Sequence, residues 1–209
     1  MKDDQIAWYE QTGNALKTHN GGQMMPSLLF QHIPVPETYE LLRRPKLLEL
    51  PDSVMGQVSW AKGLFVLKDD VKGTLGEGPC SPDFNNGQFQ SWVNPGDVLG
   101  AFFGHDHVND FEGYVDGIML GYCRTAGFVA YGDRGHQAVR LITLDENNPN
   151  TFSTEMLSMK QLGLRAASVG WLDHALTERQ QYKLFIGLAV VALFPTLVGT
   201  LAVMKYVLK

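Results

Sequence analysis

The sequence predicts an α/β fold followed by a C-terminal membrane-spanning helix, and three observations carry this prediction. Short apolar runs bounded by Gly and Pro, at 27–30 (SLLF) and 98–104 (VLGAFFG), are typical of buried strands. Residues 3–18 begin with acidic side chains and place apolar residues at helical spacing, which predicts a helix. Residues 184–204 form a run of 21 residues without a charged side chain, which is long enough for a membrane helix.

Composition excludes several classes of protein. The 209 residues include 44% hydrophobic and 19% charged residues, which is ordinary for a globular protein and excludes collagen, low-complexity disorder and a disulfide-dense miniprotein. The net charge of −5 is uneven, because residues 182–209 carry +3 while residues 1–181 carry 14 basic and 22 acidic residues, or −8. An acidic body argues against a nucleic-acid scaffold, since phosphate neutralisation requires a basic surface.

The remaining elements follow in chain order. Two prolines, Pro34 and Pro36, force an extended path after the first strand. A hairpin is expected around 56–71, and a short helix capped by an Asn is expected over 88–93. Further strands are predicted at 98–104, 114–123, 127–132 and 136–145, and residues 150–181 are predicted to form a helical connector.

The apolar C-terminal run defines a third segment, a single-pass anchor over 182–206. A helix of 21 residues spans about 31 Å, which matches a bilayer core of about 30 Å. Tyr182 and Tyr206 flank the run in the manner of interfacial aromatic residues. A buried core helix is the alternative. Two basic residues precede the run and two follow it, so the side of the membrane on which the body lies is open. No signal peptide is visible at the N-terminus.

The only two cysteines, Cys80 and Cys123, do not form a C-x-x-C pair. Two reduced thiols and one disulfide are both compatible with this spacing, so the redox compartment stays open.

Three histidines follow predicted strands. His105 and His107 come directly after the strand at 98–104, where Gly104 is expected to permit a tight turn, and His32 follows the strand at 27–30. Ligands gather at the carboxyl ends of strands in open α/β sheets, so these two strand ends are expected to bring three imidazoles together. Neutral imidazole binds Zn, Fe and Mn-type ions. A solvated loop is the alternative for an isolated H-x-H.

Three polar residues beside these histidines have two open interpretations. Asp106, Asn109 and Asp110 are candidates for side chains that orient the imidazoles through hydrogen bonds. The same residue types also favour turns.

The histidine segments resemble the calcineurin-like metallophosphoesterases, and the branch related to purple acid phosphatases in particular. That branch has a GHDH-x-ND-F string and a strand followed by H-I-P-x-P-E. The resemblance covers roughly residues 3–145. Its motifs are GHDH at 104–107 within AFFGHDHVNDFEG, LLFQHIPVPE at 28–37, QIAWYEQT at 5–12, NNGQF at 85–89, YG at 131–132 and AVRLITL at 138–144.

The resemblance implies a fold, a cofactor and an activity. It implies the C-terminal half of a metallophosphoesterase α/β sandwich with mixed sheets, over residues 1–149. It also implies a binuclear centre of Fe, Zn or Mn-class ions that activates a hydroxide to hydrolyse a phosphate-ester substrate. By resemblance, His32 and His105 match ligands of the second metal ion, and His107 matches a ligand of the first.

The family's motifs D-x-H, G-D-x-x-D and G-N-H-[DE], which supply the bridging aspartate, an asparagine ligand and a catalytic histidine, are absent from this sequence. Two expectations therefore stand. One is a membrane-anchored phosphoric-ester hydrolase in truncated form, or its metal-binding half. The other is a non-catalytic, tail-anchored binding or scaffold protein, or half of a split phosphatase.

Overall fold

The computed structural model describes residues 1–165 and 168–207, with side chains up to residue 193, and has a mixed α/β architecture. Four α-helices are present in this part: α1 (Asp3–His19), α2 (Gln88–Val93), α3 (Trp171–Ala175) and α4 (Glu178–Val207). Two 3₁₀ helices cover Pro36–Leu41 and Leu47–Asp52. The strands are β1 (Ser27–Gln31), β2 (Leu42–Arg43), β3 (Val54–Met55), β4 (Leu64–Leu67), β5 (Val98–Phe103), β6 (Glu112–Val115), β7 (Ile118–Tyr122), β8 (Ala138–Leu144) and β9 (Phe152–Ser158).

The central sheet has four strands in the order β1-β5-β7-β6. Strands β1, β5 and β7 run parallel to one another, and β6 runs antiparallel to β7. Ala101 and Leu120 at its centre are fully buried, as expected for parallel strands covered on both faces. This sheet confirms the predicted α/β class and the strands expected at 27–30 and 98–104.

The prediction of a single strand over 114–123 is wrong, because the chain reverses direction in the middle of this segment. Asp116 and Gly117 have positive φ angles of 46° and 84°, which is the geometry of a two-residue hairpin turn with a preference for Asp-Gly. Strands β6 and β7 pair antiparallel across this turn, with Val115 opposite Ile118.

Two predictions near the end of the body are also wrong. Residues 127–132 do not form a strand, and Val129 there is fully exposed. The start of the expected helical connector over 150–181 is strand β9, which pairs antiparallel with β8 from Leu144–Phe152 to Ala138–Ser158.

The N-terminal helix α1 confirms the helix predicted over 3–18 and is joined to the sheet by a buried carboxylate. The Tyr9 hydroxyl donates a 2.7 Å hydrogen bond to Asp97, which also accepts from the Ser27 hydroxyl. Burial and this carboxylate raise the pKa of Tyr9. Helix α2 forms where predicted, but Gly87, with φ 81°, occupies its N-cap position in place of an Asn.

The segment between β1 and α2 folds into a small antiparallel sheet in the order β2-β4-β3. Strands β3 and β4 form the hairpin expected around 56–71, with Met55 paired to Leu64. Tyr39, which is 7% exposed, packs beneath this sheet and donates a hydrogen bond to the Pro79 carbonyl.

The C-terminal helix α4 begins on the body of the protein. The Arg179 guanidinium donates to the carbonyls of Ser53 and Leu75, at 2.5 and 3.0 Å. Within the described residues, no helix is both long and apolar enough to cross a membrane. The predicted span at 182–206 extends past residue 193, where the described side chains end, so it stays a prediction.

Candidate metal site

The three parallel strands of the central sheet end at one edge, and two of the three predicted histidines, His32 and His105, meet there. Gln31 at the end of β1 pairs with Phe103 at the end of β5, and Phe103 pairs with Tyr122 at the end of β7. The residues that follow β1 and β5 therefore leave the sheet side by side, as the arrangement of parallel strands requires.

His32 and His105 are in direct contact at this edge. His32 Nε2 lies 3.2 Å from His105 Nδ1, and the two rings meet edge to face with centroids 5.0 Å apart. Two nitrogen ligands bound at about 2.0–2.1 Å to one ion, at angles between about 90° and 110°, lie roughly 2.9–3.4 Å apart. This separation is that of a hydrogen bond between the two rings, and it also fits two neighbouring ligands on a single metal ion.

His107 is held separately from this pair. Its Nδ1 lies 2.7 Å from the Tyr131 carbonyl oxygen, and its ring stacks on the Tyr131 ring with centroids 4.2 Å apart and planes at 14°. A carbonyl only accepts hydrogen bonds, so Nδ1 carries the proton and the lone pair of neutral His107 lies on Nε2. This is the tautomer that metal-binding histidines adopt when a carbonyl fixes the ring.

Tyr131 is in turn oriented by Glu77, because its hydroxyl donates a 2.9 Å hydrogen bond to that carboxylate. Burial raises the pKa of Tyr131 to about 12, and the hydrogen bond to Glu77 acts in the same direction. The phenol therefore stays protonated at neutral pH and remains a donor.

The polar residues beside the histidines bind the loop at 73–80 rather than an imidazole. Asn109, fully buried, accepts from the Gly76 and Glu77 amides and donates to the Glu77 carbonyl. Asp110 accepts from the Thr74 amide at 2.6 Å. Asp106, 1% exposed, accepts from the Cys80 amide at 3.1 Å. Their short side chains thus fasten this loop to the histidine segment.

Sequence reasoning missed Cys80, which lies near His105 because its amide donates a hydrogen bond to Asp106. The Cys80 thiol, one His105 nitrogen and one Asp106 carboxylate oxygen lie within 4.8 Å of one another. Burial raises the pKa of both the thiol and the carboxyl group. The charge of Asp106 raises the pKa of the thiol further, whereas the hydrogen bond from the Cys80 amide acts to lower the pKa of the carboxyl group. Both cysteines are free thiols. No local pattern marks Cys80, since it lies in an irregular loop 25 residues before His105.

Arg124, which sequence reasoning also missed, lies just after β7 and stabilises the segment that follows His107. Its guanidinium is 6% exposed, pairs with Asp110 at 3.1 Å and Asp133 at 3.0 Å, and donates to the Val108 carbonyl. A buried arginine with three partners holds the turn after His107 in a single conformation.

Gly104 does not have the role expected of it. Its φ angle is not positive, and a Cβ at this position would meet only the His32 ring, at 3.9 Å. The turn out of β5 therefore needs no glycine.

One group of donors among the described residues could hold a metal ion. One His105 nitrogen, the Cys80 thiol and an Asp106 carboxylate oxygen are donors that suit a Zn or Fe-class ion. Among the residues described, a single cluster of three or more acidic, cysteine or histidine ligands is found. Its only carboxylate, Asp106, is already bound by the Cys80 amide.

The two imidazoles thus lie at the carboxyl ends of parallel strands, where ligands bind in open α/β sheets. The chain is a distant homologue of the plant purple acid phosphatases, which it matches over part of their length. Three proteins of Arabidopsis thaliana are similar: "Probable inactive purple acid phosphatase 14" (33% identical, 65% of this chain), number 29 (30%, 70%) and number 28 (31%, 68%).

The matched regions span 29%, 33% and 30% of these three relatives, so the chain corresponds to about three tenths of their length. No protein-family model matches the sequence, and no solved structure matches it.

Proposed function

We propose that this chain supplies the histidine ligands of a metallophosphoesterase-type centre, as the C-terminal half of such an α/β sandwich. The observation that carries the proposal is the 3.2 Å approach of His32 and His105 across two parallel strand ends. His107, with its lone pair on Nε2, is the third ligand in this proposal. Bound ions of the Zn, Fe or Mn class would polarise a phosphate ester and supply hydroxide.

The protein's own residues would position this chemistry. His32 and His105 hold one ion, the Tyr131 carbonyl fixes the His107 ring, and Asn109 keeps the adjoining loop in place. A bridging carboxylate would come from a partner segment, and the outer edge of β1 is where such a segment would extend the sheet. β1 is the first strand in the order β1-β5-β7-β6 and, among the described residues, pairs with β5 alone, so its other edge has unpaired backbone groups that could take up a neighbouring strand.

A second candidate is a non-catalytic metal-binding or scaffold protein. It is favoured by the single ligand cluster in the described residues and by the relatives, whose names carry the word "inactive". In this case the site binds one ion and the missing carboxylate is never supplied.

Metal titration of the full chain with Zn²⁺ or Mn²⁺, followed by calorimetry, tests the site. We expect one ion per chain, and His105→Ala should weaken its binding by at least about 100-fold, since it removes a ligand rather than a supporting hydrogen bond. His19→Ala is the matched control, because His19 lies in the exposed last turn of α1. Equal affinity in the wild type and His105→Ala would refute the site.

Hydrolysis of p-nitrophenyl phosphate by the metal-loaded chain separates the two candidates. Turnover that disappears in His105→Ala but persists in His19→Ala supports the hydrolase. Stoichiometric metal binding without turnover, also in the presence of a polypeptide carrying the missing motifs, supports the non-catalytic candidate.

A further inference from the structure

A cavity of about 580 Å³ opens beside the small β2-β4-β3 sheet, away from the histidines' own contacts. This volume lies within the usual range for small-molecule sites, about 300–1,000 Å³. Aromatic rings and carboxylates dominate its lining, which includes Tyr39, Trp60, Phe65, Glu37, Glu40 and Asp83.

The aromatic part of the cavity consists of three rings that meet at steep angles. Tyr39 lies between the other two: its ring centroid is 4.9 Å from that of Trp60 and 5.3 Å from that of Phe65, at interplanar angles of 67° and 71°. The Tyr39 hydroxyl donates to the Pro79 carbonyl and accepts from the Gln57 amide, which fixes the ring. Trp60 is 47% exposed, so a ligand can reach it.

The charge of the lining is negative. Three carboxylates, those of Glu37, Glu40 and Asp83, face one cation, Arg44. Glu37 Oε2 is buried and has no hydrogen-bond partner among the described residues, although its other oxygen accepts from Asn85 at 2.7 Å. A buried carboxylate charge without a donor is costly, and a positive charge placed nearby offsets part of that cost.

The same wall already accepts a cation on an aromatic face. The Arg44 guanidinium lies over the Phe65 ring, 4.1 Å from its centroid, while its Nη1 donates to the Leu64 carbonyl. The remaining aromatic surface, on Trp60, is unoccupied by a cation in the described structure.

We propose that this cavity binds an organic ammonium ion of the choline type, with Trp60 and Tyr39 as its aromatic walls and Glu37 and Glu40 as its counter-charges. Aromatic faces attract such cations through the ring quadrupole, and the surrounding carboxylates add a favourable potential. The proposal is independent of any metal ion or hydrolase activity.

Calorimetric titration of the full chain with choline tests the proposal, with 3,3-dimethyl-1-butanol as a neutral probe of the same shape. We expect choline to bind about tenfold or more tightly than the alcohol, and its affinity to fall as salt is added. No binding of choline, or equal binding of the two probes, would overturn the proposal, because the cavity would then be only an apolar cleft.

Two variants locate the binding. Trp60→Ala should abolish choline binding, and Glu40→Gln, which keeps the shape of the exposed side chain, should weaken it severalfold. Trp8→Ala is the control, since Trp8 is 66% exposed and lies on α1 rather than in this cavity. Circular dichroism verifies that the variants fold, and unchanged choline affinity in folded Glu40→Gln would overturn the charge assignment.

Discussion

Replacing Asn109 by Ala would remove the side chain that joins the segment following His107 to the loop at 73–80. The Asn109 side chain makes three hydrogen bonds to that loop: it accepts from the Gly76 and Glu77 amides at 2.9 and 3.1 Å and donates to the Glu77 carbonyl at 3.0 Å. The residue is fully buried, so the three backbone groups lose their partner in a site with little access to water.

The magnitude follows from these three bonds. Each is worth about 1 kcal/mol net, and a buried backbone group left without a partner costs about 1–3 kcal/mol. Water that enters the truncated space offsets part of this loss. We therefore expect Asn109→Ala to lower the free energy of unfolding by about 3 kcal/mol. With a urea m-value near 2 kcal/mol/M, the midpoint falls by about 1.5 M.

Urea denaturation followed by circular dichroism measures the total effect, and hydrogen exchange locates it. Exchange at the Gly76 and Glu77 amides should accelerate more than exchange in the central sheet, because the loop opens first. Asn147→Ala is the control, since the exposed Asn147 bonds only to neighbouring Asp145. A midpoint shift no larger in Asn109→Ala than in the control would refute the reasoning.

Two further predictions concern other contacts. Tyr9→Phe removes the hydroxyl that donates to Asp97 at 2.7 Å, and should cost about 1–2 kcal/mol in the same denaturation assay, because a buried carboxylate loses one donor. For Glu49, hydrogen bonds from Arg43 lower the carboxyl pKa to about 2, below an unfolded value of about 4.3. The stability contributed by the charged Glu49 carboxylate is thus present above the unfolded pKa and is lost as pH falls toward about 2. Carbon NMR of the Glu49 carboxyl should show a titration midpoint near this low pH.

Each of these predictions has a matched test. Tyr114→Phe, at an exposed tyrosine of β6, should leave the urea midpoint unchanged, and an equal loss in both variants would contradict the role of Asp97. Arg43→Ala should return the NMR midpoint of Glu49 toward about 4.3. A midpoint that stays near 2 in this variant would assign the shift to another group.

The sheet and the histidine pair were predictable because they depend on local patterns. An apolar run identifies β1 and β5, and parallel pairing then places the next residues, His32 and His105, at one edge. The contact between these rings needs no knowledge of the loops. Whether these rings bind metal stays a prediction.

The remaining features depend on contacts between distant parts of the chain. Strand β9 alternates too weakly to be told from a connector, and only its pairing with β8 fixes it as a strand. Cys80 reaches the site because Asp106 binds its amide across 26 residues. The turn at Asp116 and Gly117, by contrast, has the Asp-Gly signature of a hairpin. This local signal predicts two short strands in place of the single strand expected over 114–123.

The attachment of α4 gives the protein a mechanical connection between its C-terminal helix and its histidines. The Arg179 guanidinium holds the Leu75 carbonyl, the next amide in the chain donates to Asn109, and Asn109 lies two residues after His107. A displacement of the first turn of α4 would therefore pull on the loop at 73–80 and, through Asn109, on the segment that carries His107.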